Sequence, residues 1–313
     1  MENIITIRNL TKRYKELTAV DNLDLDVPKG QILGLLGPNG SGKSTTINCI
    51  LSLLHYDSGE VRIFDQPMHP DAYDIKAKLG VVFQEVGVFE ELNVYENIDY
   101  FCGLYISDKN KRKKYVQDAI DLVGLNDFVK FVPKKLSGGL LRRLNIACGI
   151  AHKPEIILFD EPTVAVDPQS RNHILEGIEK LNQQGSTIIY TSHYMEEVEQ
   201  ICDHIVIIDK GKMIAQGSAT ELKSIIEMDE RVTVEIADLN PSQLEDLRNL
   251  KHNLSLHYSD PVLELTFSKG THNVIRLIEY FQSQNLEADS IFTQRPTLND
   301  VFLELTGKDL RDN

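Results

Sequence analysis

Residues 37–45 read Gly-Pro-Asn-Gly-Ser-Gly-Lys-Ser-Thr, the spacing G-x-x-x-x-G-K-[ST]. Glycines in such a run let successive backbone N–H groups turn inward around an oligophosphate. A helix opening near Gly42 points its positive end at the same anion. Lys43 has the reach for the β and γ phosphates of a nucleotide, and the Ser44 hydroxyl suits Mg²⁺. Gly37, Pro38, Asn39, Gly40, Ser41, Gly42, Lys43, Ser44 and Thr45 are therefore the candidate phosphate-binding residues. A second cluster lies at Ile156-Ile-Leu-Phe-Asp-Glu-Pro162, where an apolar run ends in two carboxylates. Asp160 suits Mg²⁺ through its water shell, and Glu161 suits a general base on an attacking water. A strand ending in Asp-Glu is by itself a common surface turn. With a phosphate loop upstream, the pair reads as the chemistry of Mg-ATP hydrolysis.

The third cluster, Leu136-Ser-Gly-Gly-Leu140, opens a predicted helix through Cys148. A lone serine there is a helix cap. In this combination the run resembles the LSGGQ signature of ATP-binding cassette (ABC) ATPases, and the resemblance extends from about residue 2 to residue 220. It implies that Tyr14 stacks on adenine. Gln84 then lies between the core and a helical insert, where it senses Mg²⁺ and the nucleophile. Val164-Ala-Val-Asp167 falls at the D-loop, and His193 is the switch histidine that contacts the γ-phosphate. Two copies clamp two ATPs head to tail, so that Ser137, Gly138 and Gly139 face the partner's nucleotide. Leu140 and Val164 depart from the usual Gln and Ser. Leu140 costs side-chain polar contacts only, so altered turnover is expected rather than an inactive enzyme.

The same resemblance implies a separate membrane subunit whose coupling helix docks on Val86 to Tyr100, although Val88 and Phe89 suit a core equally well. The tail Gln294-Arg-Pro-Thr-Leu-Asn-Asp-Val-Phe-Leu-Glu-Leu-Thr-Gly307 looks like that of ABC-2 type drug, antibiotic or sodium export ATPases. Glu161 to Arg171 has the same character. A chain of this kind sits in the cytoplasm, peripheral on the inner face of the membrane.

The elements that must position these residues follow from pattern. Apolar Ile32 to Leu36 is a buried strand leading into the phosphate loop. Ile4 to Ile7, Leu23 to Val27, Val61 to Phe64 and Gly80 to Phe83 are further strands. Asn93 to His152 turns helical. Strand character returns at Ile156 to Phe159, Thr187 to Tyr190 and His204 to Ile208. Strands alternating with helices predict an α/β core with a mainly parallel sheet, carrying antiparallel β and helical subdomains. That core spans 1–220, with the helical subdomain at about 85–152. From 221 to 313 the pattern restarts as βαββαβ plus a helix, which predicts a small α+β ferredoxin-like accessory domain.

Composition narrows the rest. The 313 residues suffice for more than one core, and 42% are hydrophobic, as in globular proteins. A net charge of −14 argues against nucleic acid as a partner. The basic run Lys109 to Lys114 reads as solvated surface, with an acidic partner or anionic lipid as the alternative. Cys49, Cys102, Cys148 and Cys202 include no CxxC pair, so reduced thiols are expected. There is no secretory pattern at the start and no apolar run of the ~20 residues that cross a bilayer. Rival readings are a soluble ABC ATPase not coupled to transport, a regulatory nucleotide-binding module and a small-molecule kinase. The last does not explain Leu136-Ser-Gly-Gly, and the second is disfavoured by the presence of both Glu161 and His193.

Overall fold

A computed structural model describes residues 2–226, 229–268, 272–294 and 297–307. The chain divides into two compact units, Met1–Ala219 with the described chain end from Leu305, and Thr220–Glu304.

The first unit opens with β1 (Asn3–Tyr14) and β2 (Leu17–Pro28), an antiparallel hairpin. In β2 the alternation is strict: Leu23, Leu25 and Val27 are buried, while Asp24 and Asp26 face solvent. The buried strand β3 (Ile32–Leu36) then runs into α1 (Lys43–Ile50). β4 (Ser58–Ile63), β5 (Gln66–Pro67), the single turn α2 (Tyr73–Lys76) and β6 (Leu79–Val82) follow. Three helices come next: α3 (Val94–Gly103), α4 (Lys109–Val123) and α5 (Gly138–Ile150). The unit continues as β7 (Ile156–Asp160), α6 (Pro168–Gln183), β8 (Thr187–Ser192), α7 (Met195–Ile201), β9 (His204–Asp209) and β10 (Lys212–Gly217).

Two sheets result. One has the order β2-β1-β4-β5 and is antiparallel. The other has the order β10-β9-β3-β8-β7-β6 and is parallel except where β10 returns beside β9. Every residue of β3, β7 and β8 is buried, as in strands covered on both faces. The carboxyl ends of the parallel strands lead into the candidate residues: Gly37 follows β3, Asp160 ends β7, His193 follows β8 and Gln84 lies just past β6. In open α/β sheets that end is where ligands bind.

Strand β10 was not expected. Its burial alternates, with Met213 and Ala215 half-buried and Ile214 between them exposed, so apolar residues do not alternate with polar ones and the pattern is faint. Strand β1 also runs well past Ile7, through register shifts at a polar stretch where Asn9 has φ 48°. The basic run lies on α4 with Lys109, Lys111, Lys113 and Lys114 exposed, and Arg112 pairs with Asp99 at 2.8 Å. That is the solvated face. All four cysteines are buried free thiols, and burial pushes those of Cys49 and Cys102 up to about 11.

The helix α8 (Ala219–Ile225) leads out of the first unit. The second holds β11 (Glu230–Glu235), α9 (Pro241–Arg248), β12 (Asn253–Ser259), β13 (Val262–Phe267), α10 (Asn273–Ser283) and β14 (Ser290–Gln294), and α11 (Leu298–Thr306) follows. Its sheet is antiparallel in the order β12-β13-β11-β14, so the first and third strands lie in the centre. This is the ferredoxin-like arrangement that the sequence pattern predicts. Val232, Val234, Leu263, Leu265, Leu277 and Phe281 form its core. Arg295 and Pro296 of the tail run lie outside the described residues. Among the described residues no helix is long and apolar enough to cross a membrane.

Candidate nucleotide site

The phosphate loop is shaped by backbone conformation that few side chains tolerate. Gly42, the residue just before α1, has φ 108°, and a Cβ there would collide with the Ala19 carbonyl. No side chain caps α1, so its first N–H groups stay available to an anion. Ser41 is 2% exposed and its hydroxyl has no hydrogen-bond partner among the described residues, an orphaned polar atom inside the loop. Ser44 is exposed at the first turn of α1 and Thr45 half-buried behind it.

The ammonium of Lys43 is 4% exposed. It donates to the carbonyls of Gly37 at 2.8 Å and Pro38 at 3.2 Å, and lies 3.1 Å from Glu161 Oε1. The other oxygen of Glu161 is 3.0 Å from His193 Nδ1. Lys43, Glu161 and His193 thus form one contiguous polar chain across three strand ends. Glu161 is 6% exposed and holds φ 48°, a conformation uncommon for a residue with a side chain. Its N–H donates to the Thr191 hydroxyl at 3.0 Å and to the Thr191 carbonyl at 3.2 Å. The same hydroxyl donates to Asp160 Oδ1 at 2.7 Å. Thr191 therefore holds the Asp160 carboxylate and the Glu161 backbone, which leaves the second oxygen of Asp160 for a metal or its water shell.

Behind this chain sits a buried carboxylate that the sequence reading passed over. Glu197, 2% exposed on α7, accepts at Oε2 from Thr163 at 2.8 Å, Tyr190 at 2.6 Å and Ser192 at 3.0 Å. Arg171 Nε lies 3.2 Å from Oε1, close enough for an ion pair although off the hydrogen-bonding line. Burial, and then the Glu197 charge, push the Tyr190 phenol well above its ordinary range. The network braces the turns after Glu161 and before His193.

The remaining expected residues stand apart from that chain. Tyr14 is 43% exposed near the tip of the β1–β2 hairpin, with the Lys12 ammonium 5.0 Å from its ring centroid. Gln84 is exposed, and its carbonyl accepts from Arg142 Nη1. Ser137 caps α5, accepting from the Leu140 N–H at 3.3 Å, and Gly138 and Gly139 form the first turn. Asp167 caps α6, accepting from the Ser170 N–H at 2.9 Å, which holds its carboxyl below the ordinary range. A Cβ on Gly139 would meet Ser170 and Asp167, so the starts of α5 and α6 abut. Phe89 packs against Tyr100 and Phe101 at centroid distances of 4.8 and 5.8 Å, and Val86, Phe89 and Tyr100 all remain exposed.

A family model described as ABC transporter matches residues 20–164. The linearmycin resistance ATP-binding protein LnrL of Bacillus subtilis (strain 168) is 38% identical over 99% of this chain and 100% of its own length. The chain belongs to the ABC transporter ATP-binding proteins. The daunorubicin/doxorubicin resistance ATP-binding protein DrrA of Streptomyces peucetius is 33% identical over 97% of this chain and 92% of its own. A dimeric bacterial ABC transporter cassette matches with a TM-score of 0.64 at 29% identity, over 68% of this chain and 98% of its own. A post-hydrolysis dimer of an ATP-binding cassette, bound to ADP and Pi, matches with a TM-score of 0.63 at 28% identity, over the same shares. The chain is an ATPase and binds ATP.

Thr191, Glu197 and Arg142 escaped the sequence reading. Each is an ordinary residue in an ordinary element, and only the fold brings it to the site. Thr191 alone had a usable signal: it directly precedes Ser192-His193 at the end of a strand.

Proposed function

We propose that this chain is the ATP-hydrolysing subunit of an ABC-2 type exporter of drug or antibiotic molecules, working on the inner face of a membrane through a separate membrane subunit. The observation that carries the reading is the continuous Lys43–Glu161–His193 chain, with Asp160 and Glu161 tied to one hydroxyl. Full-length similarity to resistance ATP-binding proteins supports the exporter class.

The residues fit Mg²⁺. Asp160 keeps one oxygen outside its bond to Thr191, Ser44 is exposed at the phosphate loop, and Gln84 is exposed past β6. Asp160, Ser44 and Gln84 would hold the ion, which would supply positive charge to offset that of the triphosphate.

Catalysis is then mainly positioning. Tyr14 packs against adenine. The amides of Gly37 to Thr45 and the Lys43 ammonium hold the triphosphate. Once the γ-phosphate draws Lys43 away from Glu161, Oε1 is free to take a proton from water, while His193 keeps its hold on Oε2. Water oxygen bonds to the γ-phosphorus, the bond to the β-bridging oxygen breaks, and ADP and phosphate leave. Ser137, Gly138, Gly139 and Asp167 complete the other copy's site in a head-to-tail dimer. The apolar cluster of Val86, Phe89 and Tyr100 receives the membrane subunit. The residues from 1 to 220 do this work, and those from 221 to 313 form an accessory domain.

The test compares wild type and Glu161→Gln with Mg-ATP, measuring phosphate release and mass in solution. Slow turnover in wild type is expected, with turnover lowered by about 10³-fold or more in the variant. The variant also forms a stable ATP-dependent dimer. If Glu161→Gln matches wild-type turnover, Glu161 is not the base. If the variant stays monomeric in ATP, the head-to-tail clamp is wrong.

A further inference from the structure

The segment from Phe83 to Phe89, between β6 and α3, has no regular secondary structure and is largely exposed, yet it carries Gln84. Three buried side chains grip its backbone. Asn97, 0% exposed on α3, accepts from the Phe89 N–H at 2.8 Å and donates to the Phe89 carbonyl at 3.0 Å. The other two come from α5. Asn145 accepts from the Gly87 N–H at 3.0 Å and donates to the Phe83 carbonyl at 3.3 Å. Arg142 Nη1 donates to the carbonyls of Phe83 at 3.1 Å and Gln84 at 2.6 Å.

Arg142 and Asn145 are three residues apart, on one face of α5, and are 7% and 8% exposed. Among the described residues no carboxylate pairs with Arg142, so this buried cation is satisfied by backbone carbonyls of the Gln84 segment. Burying a guanidinium without a counter-charge is costly, and it persists where the hydrogen bonds do a specific task.

That task follows from where α5 begins. Ser137 opens the helix five residues before Arg142, about one and a half turns away. On the reading above, Ser137 serves the other copy's ATP while Gln84 serves its own. We propose that Arg142 is a positioning residue: with Asn145 it fastens the Gln84 segment to the helix that Ser137 opens, so the two move as one body. Docking Ser137 on one nucleotide then sets the place of Gln84 at the other. The inference rests on assigning Gln84 and Ser137 to the nucleotide sites.

The test is a double-mutant cycle on the full chain, with variants Arg142→Met, Arg142→Lys, Gln84→Ala and Arg142→Met/Gln84→Ala. It measures kcat, KM, affinity for a fluorescent ATP analogue and amide hydrogen exchange across residues 83–88. Arg142→Met lowers kcat at least about tenfold, with nucleotide affinity changed by no more than about twofold. It also speeds exchange of the Gly87 N–H, and Arg142→Lys, which keeps a charged donor without the planar fork, recovers part of both effects. In the Gln84→Ala background Arg142→Met costs little more, because it acts through Gln84. Unchanged exchange, or losses that multiply independently, overturns the proposal. Wild-type turnover in Gln84→Ala instead removes Gln84 from the catalytic set, a separate failure read from that single variant. Should Arg142→Met not fold, Arg142→Lys and Asn145→Ala complete the same cycle.

Discussion

The Thr191 hydroxyl has one proton and two lone pairs, and the structure uses it in both senses: it gives the proton to Asp160 and accepts from the Glu161 N–H. Asp160 has few other neighbours that could orient it, because the strand around it is buried and apolar. Thr191→Val keeps the shape and removes both bonds. It leaves a buried carboxylate oxygen short of a donor, which costs roughly 1–3 kcal/mol of stability. It also lets the Asp160 carboxylate turn and loosens the Glu161 backbone, and misplacement of this kind lowers turnover by about ten- to a hundredfold. Nucleotide binding, which the proposed site assigns to the phosphate loop, changes far less. Steady-state kinetics with an independent affinity measurement separates the two effects. A rise in KM with kcat preserved would show that Thr191 serves binding instead. Glu161 itself was plain in the sequence, because an apolar run ending in Asp-Glu after a phosphate loop has few other uses. Its backbone φ of 48° was not, since that conformation is imposed by the neighbouring strand β8.

Elements were legible where one face or both faces are buried. The uninterrupted apolar runs of β3, β7 and β8 announce a covered parallel sheet, and the sheet order confirms it. The edge strand β10 was missed because it buries little and so carries little pattern. What periodicity could not supply is which helix starts meet. Ser137 and Asp167 each read as the start of a helix or loop, and only the fold abuts α5 on α6 through Gly139. Gly139 is placed by that close approach, whatever it also does for a nucleotide. Gly139→Ala puts a methyl group against the Ser170 hydroxyl and the Asp167 carboxylate, and relieving the overlap costs about 1–3 kcal/mol. The first turn of α5 or α6 must shift, and with it Ser137 or Asp167. Loss of the ATP-dependent dimer in a Glu161→Gln background is the expected result, by light scattering. A dimer of unchanged stability would mean that the two starts yield without displacing either cap.

Among the described residues, one apolar core lies around the sheets that carry the phosphate loop and another within the βαββαβ unit. A ligand that binds only the folded state raises the stability of the unit that binds it, by about 2.7 kcal/mol at a hundred times its dissociation constant. All the candidate nucleotide residues belong to the first unit, from Tyr14 to His193. Calorimetry of Glu161→Gln, which on the proposed mechanism holds ATP without consuming it, therefore tests whether the two cores unfold as one. With separate cores, two transitions appear, and Mg-ATP raises one by several degrees while leaving the other in place. The second is assigned by a destabilising change inside the smaller core: Leu265→Ala removes side-chain volume at a residue 1% exposed and lowers that transition alone, by roughly 2–5 kcal/mol. If ATP and Leu265→Ala move a single shared transition, the units fold as one cooperative body. The accessory unit then feeds stability directly to the nucleotide site, and its sequence is constrained by that site as well as by its own packing.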